Sequence, residues 1–96
     1  MNNNSSIKIT HENWNIVFND TPIIDNCICN GYCNYDDREI CLSNNLKGTR
    51  LMEIFLHECI HAISDIYGIC LSEEQVRVLG VSLIQLIRDN NINFLA

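Results

Sequence analysis

The sequence predicts a small α+β domain, a short β-sheet or hairpin followed by two helices, on three observations. The first half carries short alternating segments broken by turn residues, and the second half carries two long segments of helical period. No linker composition or internal repeat divides them. The third observation is size: 96 residues, 47% of them apolar, give room for one hydrophobic core and no second module.

Residues 1–6 are Met, Asn and Ser and read as a disordered leader, so the folded domain spans 7–96. From Ile7 to Phe18 the pattern fits either a strand or a helical turn. Asn19-Asp20-Thr21-Pro22 is a turn, Ile23 and Ile24 begin another short strand, and Asn30-Gly31 signals a hairpin turn. Arg38 to Ser43 alternates as a half-buried strand does, with Ile40 and Leu42 on one face and Glu39 and Cys41 on the other. Thr49 to Tyr67 is apolar on nearly every side, lacks Pro and internal Gly, and stops at Gly68, which predicts a central, buried helix. Ser72-Glu73-Glu74-Gln75 has the form of a capping box and opens a second helix to about Asp89. Its apolar stripe is Val76, Leu79, Leu83, Ile84, Leu86 and Ile87.

Six Lys plus Arg stand against twelve Asp plus Glu, a formal charge of −6. The basic residues are scattered, so a nucleic-acid partner, which needs a clustered cationic surface, is not expected. The first ten residues lack a secretory signal, and no apolar run approaches the roughly 20 residues a bilayer requires. A cytoplasmic protein with no membrane partner is expected. In a reducing compartment the six cysteines are free thiols. Cys27, Cys29, Cys33 and Cys41 lack the paired CxxC spacing of a zinc knuckle and read as packing residues.

The chemistry sits inside the first helix, in His57-Glu58-Cys59-Ile60-His61. Residues four apart share a helix face, so both imidazoles reach one cation, and two neutral histidines with a carboxylate suit zinc. Glu58, one residue on, is turned off the ligand line and can serve as general base toward a water at the metal. Cys59 points away and packs, while Asp65, one turn beyond His61, is either an acceptor that orients the His61 ring or an exposed helix-end acid.

Three residues compete as third ligand. At 100° per residue Glu73 falls within the stripe of Val76, Gly80, Ile84 and Ile87, on the face that packs against the first helix, and Gly80 permits close approach. Glu74 shares its side with Val78, Val81, Gln85 and Arg88, where solvent satisfies it. Cys41 is the third candidate.

His57-Glu-x-x-His61, with Ser72-Glu73-x-x-Val76 opening the next helix, resembles the gluzincin zinc metallopeptidases, above all the minimal single-domain minigluzincins and small phage and bacterial zincin-like proteins. The resemblance covers about residues 38–88. It implies a zincin-like fold, Zn2+ on His57, His61 and Glu73, and Glu58 as the base that activates a metal-bound water for peptide hydrolysis. It implies a peptide or protein substrate, extended along the Arg38–Ser43 strand beside the cleft. Two departures stand out: Val76 replaces the family's usual Ala or Ser, and the Tyr or His that stabilises the oxyanion has no assigned match among Tyr32, Tyr35, Tyr67 and His11. Glu39-Ile-Cys41-Leu-Ser43 is similar to the Glu-Gly-Cys-Leu-Ser motif of peptide deformylases, which would make Cys41 the third ligand, yet their Gly-rich first motif is absent and Ile60 stands where they carry Asp. The alternatives to an enzyme are a zincin-like protein-binding domain with a structural zinc and a zinc-free helical interaction module. The sequence leaves the oligomeric state open.

Overall fold

The computed structural model describes residues 5–92. Six strands, β1 (Ser5–Ile9), β2 (Glu12–Asn19), β3 (Ile23–Ile24), β4 (Cys27–Ile28), β5 (Gly31–Asn34) and β6 (Glu39–Ser43), precede helices α1 (Gly48–Tyr67) and α2 (Glu73–Asn90). The main sheet has the order β1-β2-β6-β5, with β2 and β6 parallel and the other pairs antiparallel; β3 and β4 form a separate small hairpin. The α+β architecture expected from the sequence is present, as one sheet backed by α1 with α2 beyond it.

Alternation explains which face is buried. Ile7, Ile9, Trp14, Ile16, Phe18, Cys33, Ile40 and Leu42 share one sheet face by register. They form the core with Leu51, Ile54, Phe55, Cys59 and Ala62 of α1. Trp14 is fully buried at its centre, and its indole N–H donates to Glu12 Oε1 at 3.1 Å, which satisfies the ring's one polar atom.

The segment from Ile7 to Phe18 is a hairpin turning at Thr10, whose φ is 54°. The first strand starts at Ser5, so Ser5 and Ser6 belong to the sheet, and only residues 1–4 of the expected leader fall outside the described chain. The Ser5 and Ser6 side chains are exposed; backbone pairing with Ile16 and Asn15 recruits these two residues, and composition gives no sign of that. Asn30-Gly31 is not the hairpin turn. Gly31 begins β5 with an ordinary φ, and an added Cβ there would lie 2.9 Å from the Cys41 carbonyl oxygen. Close backbone approach, not turn geometry, requires glycine at this position. The β5–β6 turn lies at 35–38, where Arg38 has φ 51°.

The strand expected to be half-buried is buried on both faces, since β6 lies between β2 and β5 and Cys41 and Ser43 are as inaccessible as Ile40 and Leu42. Its neighbours also occupy both of its edges, so it cannot pair with a substrate; the edge strand beside the helices is β5.

Both helices end as the sequence indicates. Gly68 closes α1 in the left-handed conformation, with its N–H bonded to the Asp65 carbonyl and that of Ile69 to the Ser64 carbonyl. The Ser72–Gln75 capping box is formed in both directions, at 3.1 and 2.8 Å. The expected burial of α1 on every side is not found: Met52, Ile63 and Tyr67 are exposed, because the sheet and a single helix cannot enclose it. On α2 only Val76 and Gly80 are fully buried, while Leu79, Leu83, Leu86 and Ile87 of the stripe are exposed.

Burial ranks the strands' contributions. Ile40→Ala, at a fully buried site, is expected to cost about 2–5 kcal/mol of unfolding free energy. Ile28→Ala, at a residue 76% exposed, should change it by less than about 0.5 kcal/mol, both read from urea denaturation midpoints.

Candidate metal centre

The helical repeat brings His57 and His61 to one face of α1, with ring centroids 4.9 Å apart. The first turn of α2 crosses above them. Glu73 Oε1 lies 3.2 Å from Nε2 of both His57 and His61, and Oε2 is also 3.2 Å from His61 Nε2. One ligand atom from each residue falls within 4.8 Å of the others, the three-residue group of metal-binding type found among the described residues. The histidine side chains are largely covered, at 22% and 17% exposure, whereas Glu73 reaches in from a 79% exposed position. Burial raises the Glu73 carboxyl, but His61 and His57 outweigh it and hold the group below the usual carboxylate range.

Close helix contact makes this reach possible. Gly80, two turns along α2, lies against the His57 backbone, and a Cβ there would meet His57 Cα and N at 3.7 Å. Val76, on the same face between Glu73 and Gly80, is fully buried.

The other candidate ligands stand elsewhere. Glu74 turns outward and is held by Arg77, with contacts of 3.1 and 2.6 Å. Cys41 alternates with Ile40 and Leu42, so its thiol leaves the sheet on the face away from α1, beside Tyr32. Strand alternation therefore separates it from the histidines, against the deformylase-like arrangement. Cys59 is buried in the core, as its position on α1 predicts. Asp65 is exposed and makes no side-chain hydrogen bond to His61 among the described residues, which leaves it the helix-end acid.

Glu58 occupies a different environment from the ligand-type residues. It is 7% exposed, and burial raises its carboxyl above the usual range, opposed by Cys33, His57 and His61. With His57, His61 and Glu73 it lines an open cavity of about 270 Å³, whose opposite wall is Gly31, Tyr32, Cys33 and Tyr35 with Ile24. Of the four candidates for an oxyanion donor, Tyr32 and Tyr35 line this cavity; Tyr67 at the end of α1 and His11 in the first turn do not. Burial, with Cys33 and Glu58 nearby, pushes the Tyr35 phenol up to about 12, so it stays a neutral O–H donor. Trp14 braces the Tyr35 ring edge-on at 6.2 Å.

Cys33 is the site residue the sequence reading missed. The absence of CxxC spacing sets it among the packing cysteines, and the Asn30-Gly31 turn signal gives no sign of the four-residue strand that carries it. Two-residue alternation from Gly31, paired against Ile40, is the signal that points Cys33 toward α1.

Comparison with protein families, with curated proteins and with solved structures found no match to this chain.

The helix contact at Gly80 is open to test. Gly80→Ala places its methyl at ordinary contact distance and should leave stability unchanged or raise it by up to about 1 kcal/mol through helix propensity. Gly80→Leu wedges the helices apart and should lower it by about 1–3 kcal/mol, both read by denaturant unfolding.

Proposed function

We propose that this chain is a zinc-dependent metallopeptidase of the gluzincin type, in which His57, His61 and Glu73 hold the ion and Glu58 is the general base. The observation that carries the reading is the convergence of three ligand atoms from separate helical turns while a fourth, buried carboxylate faces the same cavity. The distance of Glu73 from each imidazole fits zinc: donors at about 2.0–2.1 Å from a tetrahedral ion stand roughly 3.3 Å apart. Each Nε2 to Glu73 separation is 3.2 Å. The site is also open on the cavity side, as a catalytic ion requires.

A zinc ion held there supplies Lewis acidity to a peptide carbonyl and makes water nucleophilic near neutral pH. The chain's own residues do the rest. An extended peptide pairs with the free edge of β5, in place of the interior strand β6, which brings its carbonyl over the cavity floor. Glu58 takes the proton of the attacking water and delivers it to the departing amine; its raised carboxyl suits both halves of that transfer. Tyr35, kept neutral, offers its O–H to the oxygen that gains charge. No covalent intermediate with the protein is needed. A cytoplasmic setting, which keeps the six thiols reduced, goes with this reading.

A second reading has an observation of its own. The outer flank of α2 exposes Val78, Leu79, Val81 and Leu86, and an apolar groove of about 520 Å³ separates the start of α1 from the end of α2. These features favour a protein-binding domain in which the ion only pins α1 to α2.

Elemental analysis after purification in zinc should give one zinc per chain for the wild type, Glu74→Ala and Cys41→Ser, and a loss of at least about tenfold in affinity for His57→Ala, His61→Ala or Glu73→Ala. Glu58→Gln should keep the zinc and lose about 10²–10⁴-fold in cleavage rate on a fluorogenic peptide library. Full zinc occupancy without cleavage of any peptide would favour the protein-binding reading, and equal cleavage by Glu58→Gln would remove Glu58 from its role.

A further inference from the structure

The cavity wall holds a buried functional group that the proposed reaction does not use, the thiol of Cys33. β5 delivers it to the sheet face that meets α1, opposite Ile40 in register. Its Sγ lies 3.4 Å from Glu58 Oε1 and 3.1 Å from the Glu58 carbonyl oxygen. Among the described residues it is the one side chain that hydrogen-bonds the Glu58 carboxylate.

A glutamate on a helix has three side-chain torsions, and its backbone fixes none of them. A carboxylate buried in a cavity wall is held in place only by the donors it meets, and each donor counts for more there than in water. Burial and the adjacent Glu58 keep the Cys33 thiol protonated, and its one hydrogen is shared between two acceptors of the same residue, the Glu58 carbonyl oxygen and the Glu58 carboxylate.

We infer that Cys33 is a positioning residue, whose S–H holds the Glu58 carboxylate in the orientation from which it faces the cavity. The catalytic consequence rests on the reading of Glu58 as base; the thiol–carboxylate contact does not. Cys33 acts on the reaction through Glu58.

Two substitutions separate positioning from packing. Cys33→Val removes the donor and keeps an apolar side chain, larger by about one methyl, whereas Cys33→Ser keeps a donor and loses apolar contact. In the zinc-loaded protein Cys33→Val should lower kcat about tenfold at unchanged KM and zinc content, and Cys33→Ser should stay within about threefold of wild type. A Cys33→Val protein with wild-type kcat, or a Cys33→Ser protein no better than it, would overturn the inference. The contact itself is read without activity, from the infrared S–H stretching band that disappears in Cys33→Ser. That band should move to higher frequency in Glu58→Gln, where a neutral amide accepts less strongly than a carboxylate. An unmoved band overturns the inference whatever the enzyme does. A moved band in a protein that cleaves nothing upholds the contact and tells against the peptidase reading alone.

Discussion

The close crossing of α2 over α1 is the constraint on which the site depends. His57 and His61 belong to one helix and Glu73 to the next, so the three ligand atoms meet only if the helix axes come near each other at that end. Gly80 against the His57 backbone and Val76, fully buried one turn earlier, set that approach. The chain then fixes where α2 begins. Gly68 reverses the backbone in the left-handed conformation, and the Ser72–Gln75 box makes Glu73 the first helical residue. A shift of one residue in that start would turn the carboxylate by about 100°, toward the outward side that Glu74 occupies.

The sheet contributes the opposite wall. Its order leaves β5 at the edge nearest the site, and the tight pairing of Gly31 against the Cys41 carbonyl brings the strand close enough for Cys33 to touch α1. This matters for Glu58. A carboxylate removed from water in so small a domain costs several kcal/mol unless neighbours offset it. The Cys33 thiol and the two histidine rings supply that offset, and no buried side-chain polar atom among the described residues lacks a partner. The Glu58 carboxylate is thus kept in place by the same residues that shape the cavity.

The helical half was far more legible than the strand half, and the reason is length. α1 and α2 run for 20 and 18 residues, long enough for a 3.6-residue period to emerge, and each carries a stop or cap written in local chemistry. The same period placed Glu73 on the face of Gly80 and Val76, so the side-chain direction could be read before any coordinates. The strands run for two to eight residues, and β5 is set by non-local facts: a parallel pairing between β2 and β6, and a glycine chosen for contact with a carbonyl. Asn30-Gly31 looks like a turn because its local preference is real; tertiary approach overrides it. The direction of Cys33 stayed hidden for that reason, as did the choice of Tyr32 and Tyr35 over Tyr67 and His11 and the burial of Cys41. The exposure of α2's apolar stripe was equally illegible, since periodicity shows that a face is apolar and not whether the chain has anything to cover it.

The most direct test of the central claim is the zinc-edge X-ray absorption spectrum of the zinc-loaded protein. Coordination by His57, His61 and Glu73 predicts a first shell of nitrogen and oxygen alone at about 2.0–2.1 Å, with the multiple scattering of two imidazoles. A sulfur scatterer at about 2.3 Å would put a cysteine in the ligand shell and contradict the account.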